Sequence, residues 1–135
     1  MHSRSALGHT PTVRIWAGII LSGIAVLFLL FDSAGKLLEV APVVEGTAQL
    51  GYPQGVIQPI GAILLICLAT YVIPRTAILG AVLLTAYMGG AIATHVRVGS
   101  PLVTHVLFPV YVAVAFWGGL FLRDGRLRLV LRRPT

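Results

Sequence analysis

Charged residues are scarce in this sequence, and acidic residues are the scarcest. Of 135 residues, 10 are Lys or Arg and 4 are Asp or Glu, so charged side chains make up 10% of the chain. A soluble domain normally carries about 25% charged residues, which keep its surface hydrated. Because 57% of the residues are hydrophobic, we expect lipid rather than water to surround most of the chain.

Cysteine is almost absent, and the familiar catalytic motifs are missing. Cys67 is the only cysteine and lies inside an apolar run, so an internal disulfide and a C-x-x-C redox or zinc site are excluded. No nucleophile motif, phosphate-binding loop or dinucleotide fingerprint is found. The net charge of +6 does not predict nucleic-acid binding, because the basic residues flank apolar runs and form no stripe with interleaved aromatics.

Four long apolar runs contain no Asp, Glu, Lys or Arg. They cover Ile15–Phe31, Val56–Ile73, Thr76–Thr94 and Leu102–Leu122. At about 1.5 Å per residue, each can cross most or all of a hydrocarbon core of about 30 Å. Since a lipid-embedded backbone must satisfy its own hydrogen bonds, these runs predict helices. We predict an all-α integral membrane four-helix bundle, one domain over residues 1–135, with spans at 15–37, 54–73, 76–97 and 101–122.

The first run could also be compared with a signal peptide, because Arg4 and Arg14 precede it. It is longer than a normal signal-peptide core, and residues 32–36 contain no A-x-A cleavage site. We therefore expect it to remain in the protein as the first span.

A short helix is predicted in the loop after this span, at residues 42–50. Pro42 is suited to the first turn of a helix and Gly51 to the position just after its end. Val43, Thr47 and Leu50 share one face of this segment. We expect it to lie at the membrane interface, over the bundle.

The basic residues predict the orientation of the chain. Four spans place both termini and the turn at Pro74–Arg75 on one side of the membrane, and only Lys36 and Arg97 on the other. The first group is Arg4, Arg14, Arg75, Arg123, Arg126, Arg128, Arg132 and Arg133. By the positive-inside rule this side is cytoplasmic. The basic tail, residues 123–135, places arginine among leucine and suits contact with anionic lipid headgroups.

Polar side chains gather near the outer ends of the predicted spans, and the inner half has nothing comparable. Counting along the helices places His95 and His105 at the same depth, about 6 Å below the outer hairpin tip. Ionisable groups at membrane depth are costly unless they are paired or functional. The predicted ligand-binding residues are Asp32, Lys36, Gln58, His95, Arg97 and His105.

The same residues also allow a purely structural interpretation. Asp32 and Lys36 are four residues apart and can pair with each other, and histidines near a helix end can bond backbone carbonyls. The functional alternatives are a pocket for a ligand or quinone headgroup, proton or electron chemistry, and haem or a metal between His95 and His105. Two histidines without a neighbouring carboxylate or thiolate are a weak metal signal, so we expect no metal and leave the cofactor open, with quinone as the candidate.

Several short motifs resemble the DoxX-like family over nearly the whole chain. They are Phe31-Asp32 followed by Lys36, then Leu50-Gly51-Tyr52-Pro53, Ile73-Pro74-Arg75-Thr76, Leu84–Gly99 and Thr104–Pro109. The resemblance implies a small four-helix bacterial membrane protein in the cytoplasmic (inner) membrane. Some similar proteins are small subunits of a thiosulfate:quinone oxidoreductase, and another is linked to an antioxidant assembly with superoxide dismutase and a sulfurtransferase.

The resulting hypothesis is an accessory membrane protein that binds a lipophilic ligand, a quinone or a lipid, at the outer leaflet. Lys36 and Arg97 would hold an oxygen-rich headgroup, and the two histidines would exchange hydrogen bonds with it. One alternative is a membrane subunit of a quinone-linked oxidoreductase. Another is a structural partner subunit that uses the small residues of the third span to form a homo-oligomer or to bind another membrane protein.

Overall fold

All regular structure is helical in the computed structural model, which describes residues 11–133. The helices are α1 (Pro11–Leu37), α2 (Ala41–Gln49), α3 (Ile57–Val72), α4 (Ala77–Arg97), α5 (Phe108–Arg123) and α6 (Gly125–Leu131). A 3₁₀ turn at Gln54–Val56 leads into α3, and a π-helical turn at Leu102–Val106 leads into α5. Residues 1–10 and 134–135 of the predicted domain, including Arg4, lie outside the described residues.

Within residues 11–133, four segments are long and apolar enough to cross a membrane. They are Thr12–Leu37, Gln54–Val72, Ala77–Arg97 and Leu102–Arg123. The all-α fold with four membrane-crossing helices, predicted from the uncharged apolar runs, is therefore confirmed.

The four long helices form a ring around a shared core. Helix α1 packs against α3 and α5, and α4 packs against the same two helices, so α1 and α4 occupy opposite corners. Leu64, Leu84 and Phe116 are fully buried at the centre. Large apolar side chains also cover the outside, where Leu27 and Ile66 are 68% and 65% exposed. Lipid tails are as apolar as these side chains, so such a surface suits a bilayer.

Two glycines let the helix backbones come close together. A Cβ on Gly80 of α4 would collide with the backbone of α3 at Tyr71, and a Cβ on Gly119 of α5 would collide with Ser22 of α1. The small residues of the third span therefore differ in their surroundings. Gly80 serves packing, whereas a Cβ on Gly89 or Gly90 would meet no atom within 4 Å.

The fourth span changes its hydrogen bonding before Pro109. The amides of Val106 and Leu107 bond the carbonyls of Pro101 and Leu102, five residues back in each case. Pro109 has no amide hydrogen and lies in the first turn of α5, where none is needed. A proline within this apolar run predicts either a kink in the helix or a displaced hydrogen bond. The structure shows the second of these, and regular α-helix begins only at Phe108.

Helix α2 occupies the loop where a short helix is predicted, and it begins one residue earlier than expected. Thr47 is buried and Val43 and Leu50 are half-buried, so the predicted apolar face does turn toward the protein. The chain leaves the helix through Gly51, whose φ of +86° favours glycine.

The two ends of the bundle differ in chemistry. The histidine end is defined by His95 and His105, close to the turn between α4 and the π-helical turn. The arginine end is defined by Arg75, Arg123 and Arg126, near the α3–α4 turn and the start of α6.

Candidate functional site

A cavity of about 850 Å³ lies at the histidine end of the bundle. Its walls come from all four long helices, from α2 and from the π-helical turn. Small-molecule sites in proteins typically measure about 300–1,000 Å³. Four of the six predicted site residues line it: Asp32, Lys36, His95 and His105.

Asp32 and Lys36 form an ion pair in the cavity wall. Lys36 Nζ lies 2.5 Å from Asp32 Oδ1, one turn apart on α1, and the two side chains are 11% and 32% exposed. Gly61 of α3 makes room for Lys36, because a Cβ there would collide with the lysine side chain. Ser33 of α1 also connects the two helices, because its hydroxyl donates a hydrogen bond to the carbonyl of Gly61 at 2.8 Å. The carboxylate supplies the counter-charge that an ammonium at this depth requires.

The two histidine rings meet across the π-helical turn. Their centroids are 5.7 Å apart at an interplanar angle of 61°. His95 Nδ1 lies 3.0 Å from Ser100 Oγ, and His105 Nδ1 lies 2.7 Å from Thr104 Oγ1. Within residues 11–133, neither Nε2 atom has a hydrogen-bond partner. Each ring is therefore held by one nitrogen and has the other available to donate or accept, depending on its tautomer.

Gln58 and Arg97 are not part of the cavity lining. Gln58 Nε2 donates to the carbonyl of Leu37 at 3.2 Å, and Arg97 Nη2 donates to the carbonyl of Leu50 at 3.1 Å. Both carbonyls belong to helix ends, where backbone acceptors lack an intrahelical partner. The structure thus separates these two residues from the other four, and Arg97 instead connects the end of α4 to the end of α2.

Some polar residues of the cavity were not predicted as ligand-binding. Tyr52 Oη lies 2.8 Å from Thr94 Oγ1, which in turn bonds the carbonyl of Gly90 at 2.8 Å. Thr47 and Tyr87 also line the cavity. A tyrosine in an apolar span is a usable signal, since its ring suits lipid while its hydroxyl usually requires a partner.

The cavity becomes apolar toward the centre of the bundle. At about 1.5 Å per residue, Ile63 lies about 14 Å along the second span from Gln54, and Met88 about 14 Å along α4 from Arg97. The deeper apolar wall includes Phe28, Leu29, Ile60, Ile63, Met88 and Val112. Gly90 and Ala91 add little side-chain volume beside it. Apart from Tyr87, which directly precedes Met88, this deeper wall is apolar, and the four predicted site residues of the lining lie toward the histidine end.

The arginine-end half of the bundle contains a buried polar network, so the expectation that it holds nothing comparable is wrong. Arg123 Nε donates to Ser22 Oγ at 3.0 Å, and Tyr71 Oη donates to the carbonyl of Phe116 at 2.7 Å. Ser22 Oγ and Tyr71 Oη are 3.0 Å apart. Because the tyrosine hydrogen is used on Phe116, Ser22 donates to Tyr71. The guanidinium of Arg123 also lies 5.2 Å from the centroid of the Tyr71 ring. This network joins α1, α3 and α5.

The part of the chain that the structure describes contains no group of three or more His, Cys, Asp or Glu residues that could hold a metal ion. His95 and His105 thus have no third metal ligand beside them there. The geometry offers hydrogen bonds, a compensated ion pair and an apolar wall, and these are the means by which proteins bind small amphipathic molecules.

The family model described as DoxX-like family matches residues 20–119, a stretch that includes all of α2, α3 and α4. Comparisons with curated proteins and with solved structures found no match. The family match covers more than half of the chain and the walls of the cavity. With its four apolar helices, this chain is a multi-pass membrane protein that belongs to the DoxX-like family.

Proposed function

We propose that this protein binds an amphipathic lipophilic molecule, a quinone or a membrane lipid, in the cavity at the histidine end. The observation that carries the proposal is the cavity itself, whose ion pair and histidines lie at one end and whose mostly apolar wall extends toward the bundle centre. A molecule with an oxygen-bearing headgroup and an apolar chain matches that distribution along its whole length.

The charge balance of the site favours a headgroup without net charge. Asp32 compensates Lys36, and Arg97 is occupied by the carbonyl of Leu50 outside the cavity. Lys36 can donate to a ligand carbonyl, and Asp32 can accept from a hydroxyl. His95 and His105 can complete the contacts through their Nε2 atoms. Quinone carbonyls and the hydroxyl or ester oxygens of a neutral lipid have this chemistry.

The apolar part of the ligand would lie along the deeper wall. Ile60, Ile63 and Met88 are part of that wall, and burying a methylene group there contributes about 0.8 kcal/mol. Ile63 is 54% exposed, which supports an opening of this wall toward the bilayer. A lipophilic molecule could therefore enter from the bilayer without crossing water.

The distribution of basic residues supports an orientation for this site. We place the arginine end in the cytoplasm and the histidine end in the outer leaflet of a bacterial cytoplasmic membrane, because arginine accumulates on the inner side of membrane proteins. Alkaline phosphatase and green fluorescent protein, each fused after Thr135, test this placement. The expected result is a fluorescent fusion and an inactive phosphatase, and the reverse pattern would contradict it.

Two adjacent glycines provide a sharp test of the cavity. Gly90 lines it and Gly89 does not, and a Cβ on either glycine would meet no atom within 4 Å. Gly90→Leu therefore fills cavity space, while Gly89→Leu adds the same side chain to the same helix outside it. Binding of decylubiquinone and of diacylglycerol to the purified chain would be measured by native mass spectrometry.

Wild type and Gly89→Leu are expected to bind one molecule of at least one of these probes. Gly90→Leu is expected to bind it at least about tenfold more weakly, a difference of about 1.4 kcal/mol. Which probe binds distinguishes the quinone from the lipid. Equal affinity in the two variants, or no binding of either probe to wild type, would contradict the proposal.

A further inference from the structure

A second cavity, of about 340 Å³, lies at the arginine end, at the opposite side of the bundle from the first. It forms where the α3–α4 turn, the end of α5 and the start of α6 meet. Its lining residues are Pro74, Arg75, Arg123, Asp124, Gly125 and Arg126. Three guanidinium groups and one carboxylate leave two formal positive charges around a small space.

Asp124 and Arg126 compensate each other and close one wall of this cavity. Arg126 Nη2 lies 2.8 Å from Asp124 Oδ2, and Arg126 Nε donates to Oδ1 at 3.2 Å. The backbone amide of Arg126 also donates to Oδ1 at 2.9 Å, which caps α6. Arg126 Nη2 further bonds the carbonyl of Pro74. These contacts hold α6 against the α3–α4 turn. They use both oxygens of Asp124, the only carboxylate among the residues that line this cavity in the described range.

Arg75 and Arg123 retain donors that the protein does not use. Arg123 bonds Ser22 through Nε and stacks on Tyr71, but its two Nη groups have no hydrogen-bond partner among the residues that the structure describes. Arg75 forms no hydrogen bond or ion pair with any residue in the described range 11–133. Guanidinium groups bind phosphate oxygens in a planar, two-point geometry that matches their paired N–H donors.

We propose that Arg75 and Arg123 hold a phosphate group in this cavity, and that an anionic phospholipid supplies it. The cavity adjoins the ends of three membrane-crossing segments, at Val72, Ala77 and Arg123, which is the depth of lipid headgroups.

Helix α6 supports a lipid rather than a soluble anion as the source. Leu127 anchors it to the core, while Leu129, Val130 and Leu131 are 69%, 67% and 65% exposed. Acyl chains beside the cavity would cover these side chains, whereas free phosphate would leave them in water. An apolar surface next to a basic pocket is the arrangement of helices that lie in a membrane interface.

A phosphate at this site would also act on the bundle. Arg123 is the residue that would bind it and the one that reaches Ser22 and Tyr71, so fixing its guanidinium fixes the network between α1, α3 and α5. Anything that binds only the folded state stabilises that state. Anionic phospholipid is thus expected to raise the unfolding temperature of the protein more than a zwitterionic one does.

The test compares Arg75→Gln with Arg132→Gln. Arg132 is exposed, lies outside the cavity, and loses the same charge when replaced. Binding of dioleoylphosphatidylglycerol, dioleoylphosphatidylcholine and inorganic phosphate to the full chain would be followed by native mass spectrometry and by unfolding temperature. Wild type and Arg132→Gln should prefer phosphatidylglycerol, and Arg75→Gln should bind it about fivefold more weakly.

If Arg75→Gln and Arg132→Gln lose the same affinity for phosphatidylglycerol, the lipid is attracted to basic residues in general, and the proposed site is overturned. Equal binding of the two phospholipids to wild type would also overturn it. If inorganic phosphate displaces phosphatidylglycerol at millimolar concentration and stabilises the chain equally, the free anion is the ligand and the lipid assignment fails. The glycine variants at the histidine end do not affect this result, so each proposal can fail without the other.

Discussion

Replacing Tyr71 with phenylalanine removes one oxygen atom from the buried network at the arginine end. The tyrosine is 1% exposed. Its hydroxyl accepts from Ser22 and donates to the carbonyl of Phe116. Phenylalanine fits the same space, so the change deletes two hydrogen bonds without opening a large cavity. The edge-to-face contact between this ring and Phe116, with centroids 5.9 Å apart, is retained.

The expected loss of stability follows from those two hydrogen bonds. An intramolecular hydrogen bond contributes about 0.5–1.5 kcal/mol in soluble proteins, and bonds between membrane helices average about 0.6 kcal/mol. Ser22 keeps its contact with Arg123, which limits the penalty for the group left behind. Tyr71→Phe should therefore lower the free energy of unfolding by about 1–2 kcal/mol.

Tyr111→Phe is the matched control. Tyr111 is 50% exposed, and its hydroxyl donates to the carbonyl of Val103 at 3.3 Å. The same chemical change there should cost less than about 0.5 kcal/mol. Both variants would be unfolded by sodium dodecyl sulfate from mixed micelles and followed by far-ultraviolet circular dichroism. The reasoning is refuted if Tyr71→Phe has the same free energy of unfolding as wild type, or if Tyr111→Phe loses as much stability as Tyr71→Phe.

Three further predictions concern other contacts. Gly80→Ala should destabilise the bundle by about 1–3 kcal/mol, whereas Gly89→Ala should be neutral or add up to about 1 kcal/mol; equal unfolding temperatures would contradict this. The single variant Asp32→Asn should be less stable than the double variant Asp32→Asn/Lys36→Met by roughly 1–3 kcal/mol, because the single change leaves the charge of Lys36 unpaired. Denaturant titration of both variants measures this difference, and a double variant less stable than the single one would contradict it. Hydrogen bonds from Arg126 lower the pKa of Asp124, so its stabilising effect is complete above about pH 3.9 and is lost as pH falls through the lowered folded-state pKa. The unfolding temperature of Asp124→Asn should therefore fall less between pH 5 and 3 than that of wild type, and parallel curves would count against the ion pair.

The fold was predictable because hydrocarbon permits few alternatives. In a membrane, an uncharged apolar run of this length can satisfy its backbone hydrogen bonds only as a helix. The ends of these runs therefore predict α3 and α4 to within a few residues. Pro109 likewise predicted either a kink in the fourth span or a displaced hydrogen bond there. The sequence could not show that a π-helical turn would absorb the displacement, because a proline is also compatible with a simple kink.

The sequence predicts how far along each helix the site residues lie, but not which side of the helix their side chains face. Counting residues predicted one level for His95 and His105, and their rings are 5.7 Å apart. The same counting included Gln58 and Arg97, whose side chains bond carbonyls elsewhere. Which way a side chain points depends on neighbouring helices. Gly89 and Gly90 illustrate this, because no sequence pattern distinguishes the glycine at the cavity from the one outside it.

No local sequence signal shows which side chains meet in the buried network at the arginine end. Arg123 and Ser22 are 101 positions apart in the sequence, and Tyr71 and Ser22 are 49 apart. Tyr71 in an apolar span indicates only that its hydroxyl requires some partner. Serine is an ordinary residue in apolar helices, and an arginine at a helix end is already explained by orientation. Only the packing of α1 between α3 and α5 brings the three side chains together.

The ring arrangement of the helices has one more consequence for the larger cavity. Helices α1 and α4 stand at opposite corners, yet both contribute to its walls. A molecule bound in this cavity would contact both of these diagonally opposite helices and restrict their motion relative to each other. Amide hydrogen exchange in the histidine-end half should slow when the cavity is occupied and stay unchanged in the arginine-end half. Occupancy could thus be followed before the bound molecule has been identified.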